Sequence, residues 1–426
     1  MAKGDGSITQ RGKGVWEVAV SFGKDPITGK YRRVTKTVHG TKRDAAKVRD
    51  QIRREQESGL TAEGAQTLFA SFADDWHEAR VSAGKHSKAT LKRERSIVTT
   101  LNGYIGNVRL RDITPQMVEK LYQTIYDDKV EQRGRFSGTT LHMYHEKLRQ
   151  ILAKAERYNI IARNPCDRVD APQRDDSDRR SLSAEEAARM LKCADSAGND
   201  AYESFVDKEK RQDEWNAADN RTRVFGLSEV SYAIGVRIAI ATGMRRGEVF
   251  GLTWEYVDLA SCSVHVAQSL TAFGETKKPK TKAGVRTIAI DSETVSRLAR
   301  WKERQEKALG RLQVKQDGST PVCCSGTGGF VELHAFVKWW QKFRTENGFE
   351  GVKFHELRHT QATQLLGNGV DVKTVQTRMG HSSASLTLDW YAHALPENDQ
   401  KAASIIGVLF TEKPGEQGRI IKFKTA

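Results

Sequence analysis

Ala241-Thr242-Gly243-Met244-Arg245-Arg246-Gly247-Glu248 and, later in the chain, His355-Glu356-Leu357-Arg358-His359-Thr360 are the stretches on which the reading turns. Between them lies Lys280-Thr281-Lys282-Ala283-Gly284-Val285-Arg286-Thr287-Ile288. After them come Met379-Gly380-His381-Ser382-Ser383 and then Tyr391. Arg245 and Arg358 are guanidinium forks, the side-chain shape that best matches a phosphate. His355 and Arg358 are three residues apart, so they are expected on one face of a helix, within reach of one phosphate. His381 follows a glycine, is expected at a helix start, and would add a further donor. Moving a phosphodiester between oxygens builds negative charge on the non-bridging oxygens, and fixed cations stabilise that charge. A phenol has a pKa near 10, so its ionised form costs about 4 kcal/mol at pH 7. Tyr391 as a nucleophile therefore needs a neighbouring base or a cluster of cations.

Together these islands resemble the tyrosine recombinase (phage integrase) family. Its signature is an arginine in a Thr-Gly-x-Arg turn, a lysine in a β-hairpin, His-x-x-Arg, a Gly-His pair and a following tyrosine. The resemblance runs from about residue 67 to 400, with Met379 standing where a leucine is more usual. The segment before residue 60 is similar to the arm-type DNA-binding domain that many integrases carry. The resemblance implies that Tyr391 forms a 3′-phosphotyrosyl link, with His355 as base and Lys282 as the acid protonating the departing 5′ oxygen. Lys278, Lys280 and Lys282 all fall in the hairpin turn, and the Lys-x-Gly-x-Arg pattern favours Lys282. Glu248 would orient an active-site group from behind, and His359 would be structural or supporting. The resemblance implies no cofactor and no catalytic metal, and no ATP is required because the phosphotyrosine ester conserves the bond energy. Strand exchange would pass through a Holliday junction in a homotetramer on two duplexes. The expected partners are double-stranded DNA attachment sites, a recombination directionality factor and a host DNA-bending protein. The expected role is integration and excision of a phage or other mobile element.

Charge points the same way. The 426 residues carry a formal net charge of +15, a field that attracts polyanions, nucleic acid first. Residues 1–60 hold 14 Lys/Arg against 7 Asp/Glu, so about half of that surplus lies there. Trp16, Val18 and Val20 alternate with Glu17 and Ala19, as in a strand. Residues 25–30 carry turn chemistry, a second strand carries Arg32, Arg33 and Lys36, and Thr41 is placed to cap a helix over about 42–56. A sheet face can enter a DNA groove, which makes Arg32, Arg33 and Lys36 candidate DNA contacts.

The expected fold is multidomain and mainly α with small β-sheets. A three-stranded sheet plus helix spans 1–60. A helical, SAM-like core-binding domain spans 65–172, and an α+β catalytic domain spans 178–408. A tail, 409–426, has alternating residues near 418–424 that suggest a docking strand for a neighbouring protomer. Within the second domain, helices are expected to open at Thr67, Ser87, Thr114-Pro115 and Thr139, the last ending at Asn164-Pro165. The last two domains would close on DNA as a clamp. Residues 59–64 and 171–180 read as linkers. Ser183 with Glu186 forms a capping box, 195–222 reads as an exposed polar insertion, and 264–290 reads as a small antiparallel sheet. No run approaches the ~18 apolar residues of a membrane helix, and residues 1–6 lack the apolar core of a signal peptide. The expected location is the bacterial host cytoplasm, at the nucleoid. The five cysteines include no C-x-x-C pair, and adjacent Cys323-Cys324 read as buried thiols.

Three other readings compete. His355-Glu356-Leu357-Arg358-His359 matches the H-E-x-x-H of zinc metalloproteases. That motif needs a third ligand, for which Asp371 and His381 stand in no recognised pattern, and it leaves Arg245 and Tyr391 unexplained. A non-catalytic DNA-binding protein of the same fold would not need all of Arg245, Lys282, His355, Arg358, His381 and Tyr391. Type IB topoisomerases share the chemistry, but the basic N-terminal module favours integration.

Overall fold

The computed structural model describes residues 6–24, 31–57, 66–175, 180–210, 220–279, 281–311, 313–383, 403–404 and 406. The chain divides into two compact units, Met1–Ser177 and Asp178–Ala426. Tyr391, Lys280 and the expected tail strand lie outside the described residues.

The first unit begins with an antiparallel sheet of β1 (Ser7–Gly12), β2 (Val15–Lys24) and β3 (Tyr31–His39), in that order. Val18 and Val20 are buried against Ala45 and Ile52 of α1 (Lys42–Glu57). Thr41 caps that helix, and its N–H and hydroxyl both donate to the Asp44 carboxylate. Strand alternation separates two of the candidate DNA contacts. Lys36 stands opposite Val18, on the α1 side of the sheet, whereas Arg33 stands opposite Ser21, on the open face. Both are exposed, so they do not form one groove-reading row. The Arg32 side chain lies outside the described residues.

Four helices follow: α2 (Phe69–Ser82), α3 (Lys88–Ile105), α4 (Pro115–Arg133) and α5 (Gly138–Arg157). Their apolar faces meet in one core around Phe69, Leu101, Ile125, Leu148 and Leu152. Ser87 and Thr114 cap α3 and α4 as expected, and Pro115 takes the first position of α4. Thr67 does not cap α2. Leu68 is the N-cap, and the Phe69 and Ala70 N–H groups donate to the Val108 and Gly106 carbonyls, so the backbone supplies the acceptors. Ser137, not Thr139, caps α5. Thr139 instead accepts from the Asp175 N–H, while the Asp175 carboxylate accepts from the Gly138 and Thr139 N–H groups. Part of the expected linker 171–180 is thus fastened to a helix start. The helix α5 ends at Arg157, before Asn164-Pro165, which begins a separate short 3-10 turn.

In the second unit, Ser183 and Glu186 form the expected capping box at α6 (Ala184–Lys210). Residues 195–210 are not an exposed insertion, since α6 runs through them and buries Phe205. The hydrophobic residues Ala201, Tyr202, Phe205 and Val206 outweigh the charges of that stretch and pack on the core. Next come α7 (Asn220–Thr242) and the short α8 (Arg246–Phe250). The expected sheet between 264 and 290 forms as β4 (Val257–Asp258), β5 (Ser263–Val266) and β8 (Arg286–Ala289), with a hairpin β6 (Ser269–Leu270) and β7 (Thr276–Lys277). The rest is helical: α9 (Ser292–Arg311), α10 (Leu333–Glu346), α11 (Glu356–Gly367) and α12 (Val372–Met379). Phe250 of α8 packs on Phe336 at a centroid distance of 4.4 Å, and Phe336 meets Phe354 edge-on at 4.9 Å. This aromatic cluster anchors α8 and the start of α11. Cys323 and Cys324 are fully buried. Among the described residues no helix is long and apolar enough to cross a membrane.

Candidate active site

The helix α7 ends where Thr242 turns its hydroxyl back onto the Ile238 carbonyl and accepts the Met244 N–H. Gly243 then adopts φ +65°, a left-handed conformation that costs other residues about 1–2 kcal/mol. A Cβ there would lie 2.3 Å from Gln361 Oε1 and 2.7 Å from the Met379 methyl. The backbone angle favours glycine, whereas both contacts are the far ends of flexible side chains that can turn aside. Gly243→Ala is expected to destabilise the second unit by about 1–2 kcal/mol, mainly through backbone strain. Denaturant unfolding would measure it, and an unchanged midpoint would count against the left-handed turn.

The turn delivers Arg245 to the N-cap of α8. Glu248, three residues on, accepts the Arg245 N–H at 2.9 Å and its Nη1 at 2.8 Å. Arg245 Nη2 donates to the Gly380 carbonyl at 3.1 Å. Arg358 is buried on α11, with Nη1 donating to the Gly243 carbonyl at 2.7 Å and Nη2 to the Met379 carbonyl. Among the described residues, each arginine thus spends two of its five donors on holding position, leaving three for an anion. Both forks are tied to the turn 379–381, Arg245 through Gly380 and Arg358 through Met379.

Arg286, at the start of β8, was not singled out from sequence. Its Nη2 donates to Glu248 Oε2 at 2.9 Å, its Nη1 to the Gly284 carbonyl at 3.0 Å and its Nε to the Arg378 carbonyl at 2.7 Å. The sequence signal was an arginine at an inward position of a strand that otherwise alternates, Arg286-Thr287-Ile288-Ala289. Burial pushes the Glu248 carboxyl upward. The Arg286 hydrogen bond and charge, with the Arg245 N–H and charge, outweigh this and hold it below the usual carboxylate range. Arg358 moves the other way. Burial, then the positive charges of Arg245 and Arg286, lower it to about 9, so it remains protonated at neutral pH.

His381 lies just past the end of α12, and the helix start expected there falls on residues outside those described. Gly380 is the left-handed cap of α12, and a Cβ there would sit 2.8 Å from the Ala283 carbonyl oxygen. Gln376 clamps the segment, its carbonyl accepting the His381 N–H and its side chain donating to the His381 carbonyl. Burial, then Arg358, Arg245, Arg286 and His359, lower the His381 imidazole to about 3. His381 is therefore neutral at working pH, with one ring nitrogen able to donate. Its ring proton resonances are expected not to titrate between about pH 5 and 8, where an ordinary histidine has its midpoint. An NMR midpoint near 6.5 would contradict the cationic surroundings.

His355 is the exposed N-cap of α11; its backbone is already helical, and its carbonyl accepts the Arg358 N–H. Its ring meets that of His359 edge-on at 5.0 Å. The Glu356 carboxylate is buried and accepts the Lys353 N–H at 2.8 Å. The zinc-protease reading needs a glutamate directed at the metal and a third ligand, whereas Glu356 is turned to the Lys353 N–H and the described residues hold no group of three or more side chains that could bind a metal. Lys282 is exposed, in the one-turn 3-10 segment Lys282–Gly284. The described residues thus bring together Arg245, Glu248, Arg286, Arg358 and His381. They place the Lys282 turn against Gly380, and His355 beside His359.

Comparison with known proteins agrees with this architecture. Residues 207–398 match the model of the phage integrase family, and residues 68–170 match the phage integrase SAM-like domain. A tyrosine recombinase XerC-like protein of Caldanaerobacter subterraneus is 24% identical, with 95% of this chain and 98% of that protein covered. The ICEBs1 integrase of Bacillus subtilis is 23% identical, with 93% and 98% covered. Among solved structures, the Tn1549 transposon integrase in complex with transposon right-end DNA superposes with a TM-score of 0.58 at 20% identity. The match covers 80% of this chain and all of that one, 100%. A lambda integrase tetramer bound to a Holliday junction gives 0.52 at 17% identity, covering 90% of this chain and 94% of that one. These structural likenesses establish the fold. The two family models together span well over half of the chain, which belongs to the phage integrase family of tyrosine recombinases.

Proposed function

We propose that this recombinase cleaves one DNA strand at a time by attack of the Tyr391 phenol on a phosphodiester held by Arg245, Arg358 and His381. The observation that carries this reading is the cationic cluster, in which, among the described residues, Arg245, Arg286 and Arg358 face one carboxylate, Glu248. Such a pocket has excess positive charge fixed in place before substrate arrives, which is what a transition state gaining negative charge requires. The phenol proton passes to His355, the P–O5′ bond breaks, and Lys282 gives a proton to the departing oxygen. A 5′-hydroxyl from the partner duplex then reverses the step.

The same reading assigns residues 1–60 to arm-type sites, with Arg32, Arg33 and Lys36 among the contacts. It assigns 65–172 to the core site and 178–408 to the chemistry. Strand exchange would use a homotetramer on paired attachment sites and pass through a Holliday junction. The element moved would be a phage or other mobile element, as the names of a prophage integrase and a transposon transposase indicate for those relatives. A directionality protein and a host DNA-bending protein would bias and assist excision, and the enzyme would work at the nucleoid.

The test uses nicked duplexes tiled from DNA flanking the gene, incubated with wild type and Tyr391→Phe in excess EDTA. A covalent protein–DNA band with wild type alone supports the proposal and locates the crossover. A band with both proteins, or one that EDTA suppresses, refutes it.

A further inference from the structure

We infer that Arg286 is a positioning residue for the leaving-group step, holding the Lys282 turn against the phosphate-binding arginines. The inference rests on the assignment of Lys282 as the acid.

The turn cannot hold its own place. Its internal bonds, Gly284 N–H to the Thr281 carbonyl at 3.0 Å and Val285 N–H to the Lys282 carbonyl at 3.1 Å, fix its shape. They do not fix its location. Lys282, Ala283 and Val285 are exposed, so little apolar burial pins it. The Arg286 fork supplies the missing tie. One donor reaches the Gly284 carbonyl at the end of the turn, one reaches Glu248 and thus Arg245, and one reaches the Arg378 carbonyl in the last turn of α12. Neutralising Glu248 would need only one of the three. The other two join the Lys282 turn to the segment that carries His381. The Ala283 carbonyl also abuts Gly380, where any Cβ would sit 2.8 Å from it, so the turn is docked and has no room to shift inward.

A lysine at 286 keeps a cation against Glu248 but lacks the planar fork that reaches three acceptors in fixed directions. Arg286→Lys therefore isolates placement of the turn from charge balance.

The test separates the leaving group from the phosphate. In the natural reaction the P–O5′ bond breaks and its electron pair leaves on oxygen, which must take a proton from Lys282. If sulfur replaces that bridging oxygen, the P–S bond breaks and the pair leaves as a thiolate. A thiol has a pKa near 8.5, so the thiolate needs no acid. Full-length wild type, Arg286→Lys and Lys282→Ala would each cleave the crossover duplex in its oxygen and sulfur forms. The readout is the sulfur-to-oxygen rate ratio, which does not depend on what fraction of a variant is folded. Both variants are expected to lose about 10²-fold or more on oxygen and to return to within about threefold of wild type on sulfur, as loss of a general acid predicts. Equal loss on both substrates for Arg286→Lys, with Lys282→Ala rescued, overturns the inference, because Arg286 would then serve the phosphate or the fold. Unimpaired Arg286→Lys on oxygen also overturns it. Failure of sulfur to rescue Lys282→Ala overturns instead the assignment of Lys282 as the acid.

Discussion

Replacing Arg358 with lysine is expected to slow strand cleavage by about 10²–10³-fold, the usual consequence of losing one pre-organised oxyanion donor. Arg358 is 2% exposed, and two of its donors already hold the Gly243 and Met379 carbonyls. An ammonium at that position has three donors and no fixed plane. It cannot hold two carbonyls on different turns and still present a pair of N–H groups to a phosphate. Charge is conserved, so DNA affinity, which follows the number of neutralised phosphates, is expected to change little. Single-turnover cleavage beside a binding titration separates the two quantities. A loss smaller than about tenfold, 1.4 kcal/mol, would mean that the Arg358 charge alone serves and its geometry does not.

Glu248→Ala is expected to cost the second unit about 3–5 kcal/mol, because it leaves Arg286 buried without its anion. Both side chains of that pair are 4% exposed, so solvent cannot take over the role of the carboxylate. At about 2–4 °C of Tm per kcal/mol, the melting temperature should fall by on the order of 10 °C. The pH dependence has a definite sign. The folded Glu248 carboxyl titrates below its unfolded value. Its contribution is therefore fully present above about pH 4.3, the unfolded value, and is lost as pH falls through the lower folded value. The stability gap between wild type and Glu248→Ala should be flat from neutral pH down to about pH 5 and should close in stronger acid. A gap that narrows on raising the pH would contradict the ion-pair account.

What could be read from sequence follows from how local each signal is. The helix starts at Ser87 and Thr114-Pro115 and the capping box at Ser183 were legible because one side chain and the next turn decide them. Thr67 and Thr139 misled for the complementary reason. At α2 the backbone of a distant segment, 106–108, supplies the acceptors, and at α5 Ser137 takes the Thr140 N–H while distant Asp175 accepts those of Gly138 and Thr139. No local pattern records such partners. In the site, Arg245, Arg358 and His381 each sit in a motif with its own glycine or spacing, and the fold brings these three together. The position of His355 at the entrance of α11 was not legible, since a three-residue spacing says nothing about where a helix begins. Arg286 escaped notice because its three acceptors are a carboxylate and two carbonyls from separate elements, and only the assembled fold brings them to one guanidinium. The separation of Arg33 from Lys36 follows from strand period alone and was within reach of the sequence.

The central claim, that Tyr391 is the atom donor to phosphorus, is tested most directly by locating the modified residue. Wild-type protein would be trapped on a nicked crossover duplex, the DNA trimmed with nuclease, and the protein digested and mapped by mass spectrometry. The account predicts a nucleotide phosphate on the peptide containing Tyr391, with fragment ions placing it on that tyrosine. A phosphate on any other side chain would contradict it.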